Sequence, residues 1–198
     1  MPFTLAILAT ILGYTWVLEP RGVHVGVPGV IVVSITVLNG LRSGVWGLSP
    51  QALLPASRAA ALFTVPAALV VLGAGMSLGT LHDQAASLRD VAVLIPWGTA
   101  QQWVLQTVVL REARGLTSPR KSIVVAAALF AVVHAPNPLL LTMTFAGALG
   151  WCAIFARHPN ILPLGVSHAI ATLALLYAFD DNLTGHLRIG YAYLQLAR

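Results

Sequence analysis

The stretch VAVLIPWGTAQQWVLQTVVL, Val91–Leu110, decides how this chain is read. It is apolar apart from Thr99, Gln101, Gln102, Gln106 and Thr107. At that length it forms a helix inside a lipid bilayer, where a span needs about 20 apolar residues. Two adjacent amides at such depth must find partners, because hydrocarbon offers none. They therefore face other helices or a functional cavity. His134 and His168 stand in two later apolar runs, whereas no carboxylate lies in any of these segments.

Composition agrees with the membrane reading. The 198 residues are 58% hydrophobic and 9% charged, with mean hydropathy +0.84, against about 25% charged residues in a soluble domain. The fold class expected is all-α: a single polytopic transmembrane bundle over residues 1–198, with helices near 3–18, 25–41, 59–79, 91–110, 122–135, 139–156 and 161–179. Met1–Thr10 lacks a basic leader and is followed by more apolar sequence, so it reads as a retained first helix. Arg42–Arg58, with Gly44, Gly47, Pro50 and Pro55, reads as a loop or interfacial piece, and Pro136-Asn137-Pro138 as a break after His134. The lone Cys152 excludes an internal disulfide and reads as a packing residue.

The net charge of +5 comes from arginines set singly at the ends of apolar runs, a topology signal and not a nucleic-acid surface. With seven crossings, one face carries Arg42, Arg58, Arg111, Arg114, Arg120, Lys121 and Arg157 against Glu112. The other carries Glu19, Arg21, Asp83, Arg89, Asp90, Asp180, Asp181, Arg188 and Arg198, close to neutrality. The asymmetry puts the N-terminus in the cytoplasm. At about 1.5 Å per residue, Gln101 lies about 14 Å from Leu110, His134 about 18 Å from Ser122 and His168 about 10 Å from Ile161. These depths predict that Gln101, His134 and His168 converge on one polar pocket. Gln102 and Gln106, four apart, share a helix face.

Phe130-Ala-Val-Val-His134, the following Ala135-Pro136-Asn137-Pro138, the glycine-bearing Thr144–Trp151 and His168-Ala-Ile-Ala-Thr172 occur in an order that resembles the CPBP family of intramembrane proteases. That family includes the type II CAAX prenyl endopeptidases and bacteriocin-immunity relatives. The resemblance covers about residues 90–177. It implies a CAAX-protease-like helical membrane fold, a membrane endopeptidase activity, and a site at Gln101, Gln102, His134 and His168 supported by Gln106, Phe130, Asn137 and Thr172. The family pattern Glu-Glu-x-x-x-Arg is replaced here by Gln101-Gln102-Trp103-Val104-Leu105-Gln106, and Thr172 replaces the usual Asn. In the family the first glutamate is thought to act with the histidine to activate water, while the last His and the Asn stabilise the oxyanion.

A carboxylate accepts a proton from water and a neutral amide does not, so glutamate-type general-base catalysis is excluded at Gln101. Removing the acids together with the arginine avoids an unpaired buried charge. The remaining acids, Glu19, Asp83, Asp90, Glu112, Asp180 and Asp181, all fall at helix ends. A site of two histidines and a carboxylate lacks its third ligand, so no cofactor is expected, and a metal would be held by His134 and His168 only through waters.

Three functions stay open: an endopeptidase in which His134 is the base and His168 the electrophile; a pseudoprotease that binds without cutting; and different chemistry on an apolar substrate. The expected partners are the bilayer and a prenylated peptide, transmembrane peptide or isoprenoid, with no nucleic acid. A purely structural reading stands beside them. There the glutamines join helices by hydrogen bonds, the histidines are satisfied core residues, and Ala146, Gly147 and Gly150 permit close helix contact.

Overall fold

The computed structural model describes residues 1–82 and 87–197, so the charges of Asp83 and Arg198 lie outside the described residues. Helices α1 (Pro2–Gly13), α2 (Gly26–Ser43), α3 (Leu53–Leu78), α4 (Leu88–Val104), α5 (Arg111–Arg114), α6 (Pro119–Val132), α7 (Pro138–Arg157), α8 (Ile161–Ala178), α9 (Asp181–Thr184) and α10 (Gly190–Leu194) follow in order. A π-helical stretch, Leu105–Leu110, makes α4 and α5 continuous. Among the described residues no β-strand forms, and Leu48 meets Asn160 in an isolated bridge.

Five helices are long and apolar enough to cross a membrane: Pro2–Arg21, Gly26–Ser43, Pro50–Leu78, Pro138–Arg157 and Ile161–Ala178. The chain is an all-α integral membrane protein. The other two expected spans are helical but differ in kind. The helix through 91–110 continues to Arg114, and its amides dilute its apolar character. The 14 residues of α6 reach about 21 Å, short of the ~30 Å hydrocarbon core. That helix also ends earlier than expected, at Val132, because Pro136 and Pro138 disfavour helical backbone before them. Arg42–Arg58 is not all loop. A 3-10 turn at Pro50–Ala52 leads into α3 at Leu53, and prolines at the start of a helix sacrifice no internal hydrogen bond. Helix α4 starts on a reciprocal box. The Ser87 amide and hydroxyl donate to the Asp90 carboxylate at 3.0 and 2.6 Å, and the Asp90 amide donates back to the Ser87 hydroxyl at 3.2 Å. Those bonds hold the Asp90 carboxyl below its ordinary range.

The chain forms two compact units. The first comprises Met1–Trp46, Val104–Cys152 and Leu187–Arg198; α1 pairs with α2, and the π-helical stretch packs on α1, α2 and α6. Nothing in α1 caps its own N-terminus. The Glu112 carboxylate does so, accepting from the Phe3 and Thr4 amides at 3.3 and 2.9 Å and from the Thr4 hydroxyl at 2.7 Å. Fully buried Asn39 donates to the Thr107 carbonyl at 3.0 Å and accepts from the Arg111 guanidinium, which also donates to Thr107 at 3.2 Å.

The second unit comprises Gly47–Trp103 and Ala153–His186. Helix α3 turns Ala56, Ala60, Thr64 and Gly75 inward and Leu62, Val65, Leu69 and Val70 outward. Small residues inside and large apolar ones outside suit lipid, where close backbone approach and not hydrophobic burial holds helices together. The hydroxyls of Thr64 and Ser167 are hydrogen-bonded in the interior. A Cβ on Gly75 would come 2.1 Å from the Ala178 carbonyl oxygen. These pairs advance together along α3 and α8, so the two helices run parallel.

Candidate functional site

In the second unit, α4 and α8 cross at two glycines. A Cβ on Gly98 would lie 2.8 Å from the Gly165 carbonyl oxygen, and one on Gly165 would lie 2.1 Å from the Thr99 hydroxyl. One turn beyond this contact, the fully buried Gln102 reaches the buried His168, amide Nε2 to ring Nδ1 at 3.2 Å. An amide N–H donates, so Nδ1 accepts and the His168 proton sits on Nε2. Its Nε2 is therefore a donor and not a base. Thr172 donates its hydroxyl to the His168 carbonyl at 3.0 Å, a bond within its own helix. Gln101 is half-buried. The amide that meets His168 is thus the second of the pair.

The first unit holds the remaining candidates. His134 lies just past the end of α6, its amide bonded to the Ala131 carbonyl at 2.9 Å. Its Nδ1 lies 2.9 Å from the Phe130 carbonyl oxygen, which can only accept, so Nδ1 carries the proton and Nε2 the lone pair. The Phe130 ring lies 5.1 Å from the imidazole, tilted by 60°. The Phe-x-x-x-His spacing is one helical turn, which gives His134 both a ring and a carbonyl to rest on. Asn137 caps α7. Its side-chain oxygen accepts from the Leu140 amide at 3.1 Å, and its amide donates to the Arg188 carbonyl at 3.1 Å. Gln106 is fully buried, within hydrogen-bonding reach of the buried Cys152 thiol.

The structure therefore joins Gln102 to His168 in one unit and Phe130 to His134 in the other. Among the described residues no three His, Cys, Asp or Glu side chains come together. Glu112, as near to Gln101 in sequence as Asp90 is, is occupied at the start of α1. Sequence reasoning missed Gly98 and Gly165, although their spacing carried a signal: one glycine precedes Gln102 by four residues and the other precedes His168 by three. A Cβ on Gly147 would meet the Trp151 ring of the same helix at 2.8 Å, so this glycine makes room for an indole.

No curated protein and no solved structure matches the chain. Residues 88–174 match the family model described as type II CAAX prenyl endopeptidase Rce1-like. The match takes in the glutamine pair, Phe130, His134, Asn137, His168 and Thr172, and it begins where α4 begins. Over residues 88–174 this chain is thus similar to the Rce1-like family of type II CAAX prenyl endopeptidases, which supports a CAAX-protease-like assignment.

Proposed function

We propose that this CAAX-protease-like membrane protein binds a prenylated or transmembrane peptide without cutting it by glutamate-activated water. The reading rests on one observation: the group held against His168 is the amide of Gln102. In the family pattern a carboxylate occupies each of the two glutamine positions. A carboxylate accepts from an imidazole N–H and from water, while the Gln102 amide donates to the ring and takes up no proton. Polarity at this pair is reversed. What survives is a neutral amide–imidazole pair buried between two helices.

A second reading has its own support. The Nδ1–H of His134 is committed to Phe130, which leaves Nε2 as a lone pair able to act as base. That lone pair supports slow hydrolysis with His134 as the base. The two readings separate in proteoliposomes carrying a fluorescent farnesylated CAAX peptide. Binding should be saturable, should weaken on His168→Leu, and should yield no product. General-base assistance contributes about 10²–10⁴-fold, so its loss is measurable. Cleavage that disappears on His134→Ala would overturn the pseudoprotease reading and establish the second.

A further inference from the structure

Among the described residues, one end of the first unit gathers five cations against a single carboxylate. Arg42, at the C-terminus of α2, stacks over the Phe3 ring at 5.5 Å, which fixes the start of α1 beside it. Glu112 bonds to Phe3 and Thr4 and so brings α5 to the same place. Helix α5 packs on α6, which opens with Pro119, Arg120 and Lys121. Arg42, Arg111, Arg114, Arg120 and Lys121 thus share this end with one carboxylate, and that carboxylate serves the amides of α1. Arg111 is held by Asn39 and Thr107. Arg42, Arg114, Arg120 and Lys121 are exposed, and none is paired with a carboxylate among the described residues.

The same end carries an apolar tip. Leu116 is 67% exposed in the turn between Arg114 and Arg120. A leucine flanked by arginines fits a membrane interface, with the side chain below the headgroups and the guanidinium groups among them. It gives no advantage in binding a soluble anion. A further local feature agrees. Two cations in the first turn of α6, which has no side-chain cap, oppose the helix dipole unless an anion covers that turn. We propose that this face, centred on Arg114, Leu116, Arg120 and Lys121, binds the phosphate headgroups of anionic phospholipids. The inference is independent of whether the protein cleaves peptides and of which leaflet this end meets.

The test uses the purified full chain in neutral detergent, offered equimolar phosphatidylglycerol and phosphatidylcholine, with retained lipid read by native mass spectrometry. The wild type should retain phosphatidylglycerol selectively, and the preference should shrink as added salt shortens the screening length below about 8 Å. The triple variant Arg114→Gln, Arg120→Gln, Lys121→Gln should lose it by about fivefold per cation, roughly a hundredfold in all. Should the triple variant not fold, Arg114→Gln alone carries the test at about fivefold. Leu116→Ser should weaken retention of both lipids, and soluble glycerol phosphate should not compete. Equal retention of the two lipids by the wild type, an unchanged preference in the charge variants, undiminished retention by Leu116→Ser, or competition by glycerol phosphate would each overturn the proposal.

Discussion

Replacing Gln102 with leucine is expected to destabilise the protein where replacing Gln101 is not. Gln102 is fully buried, and its amide is 3.2 Å from Nδ1 of His168, itself 7% exposed. Leucine has nearly the volume of glutamine, so Gln102→Leu removes a donor and leaves little cavity. A hydrogen bond between membrane helices averages about 0.6 kcal/mol and reaches about 1.7. Stranding a buried acceptor costs about 1–3 kcal/mol where no water replaces the donor. The two figures describe one loss from different reference states, so an expected cost of about 1–2 kcal/mol covers both. Gln101 is half-buried, and Gln101→Leu should stay within about 0.5 kcal/mol. Reversible unfolding of the full chain in mixed micelles of mild detergent and dodecyl sulfate measures both. A third variant sharpens the test. Removing both partners of a buried pair is nearly neutral, so Gln102→Leu with His168→Leu should cost less than the sum of the single changes. Nitrogen-15 spectra should find the His168 proton on Nε2 in the wild type and on Nδ1 in Gln102→Glu once that acid ionises. Strict additivity, or an equal cost at Gln101, would refute the assignment of the pair.

Gly165→Ala should be severely destabilising, since its Cβ would stand 2.1 Å from the Thr99 hydroxyl and 2.6 Å from Thr99 Cα, whereas Gly73→Ala, with nothing within 4 Å, should be tolerated; thermal unfolding in one detergent compares them. Glu112→Ala should cost about 1 kcal/mol and speed hydrogen exchange at the Phe3 and Thr4 amides, because α1 has no other N-terminal cap; unchanged exchange would show that the cap is dispensable. Single cysteines at Ser118 and His24, in a Cys152→Ala background, should be labelled by an impermeant maleimide from opposite sides, with Ser118 on the cytoplasmic side. Labelling from the same side would overturn the seven-crossing topology.

Sequence alone determined the compartment, the helical class and the segment that carries the family signal. Those depend on quantities additive along the chain: apolar length, the positions of arginines, and an ordered set of short motifs. The seven apolar runs are all helical, and the family match at 88–174 lies close to the expected 90–177. Chemistry of residue types also sufficed to exclude a glutamate base at a glutamine. Tertiary structure decided which amide meets which histidine. Gln101 and Gln102 are adjacent in sequence but about 100° apart around a helix, so only the direction from which α8 approaches selects between them. That direction is set by Gly98 and Gly165, whose lack of side chains has no effect until two backbones touch. The same holds for tautomers. Whether an imidazole is a base or a donor depends on what its other nitrogen touches, the Gln102 amide for His168 and the Phe130 carbonyl for His134. Asn39 and Glu112 stayed silent for the same reason, since their partners, Arg111 and Thr4, lie on other helices and only packing brings them within 3 Å or less.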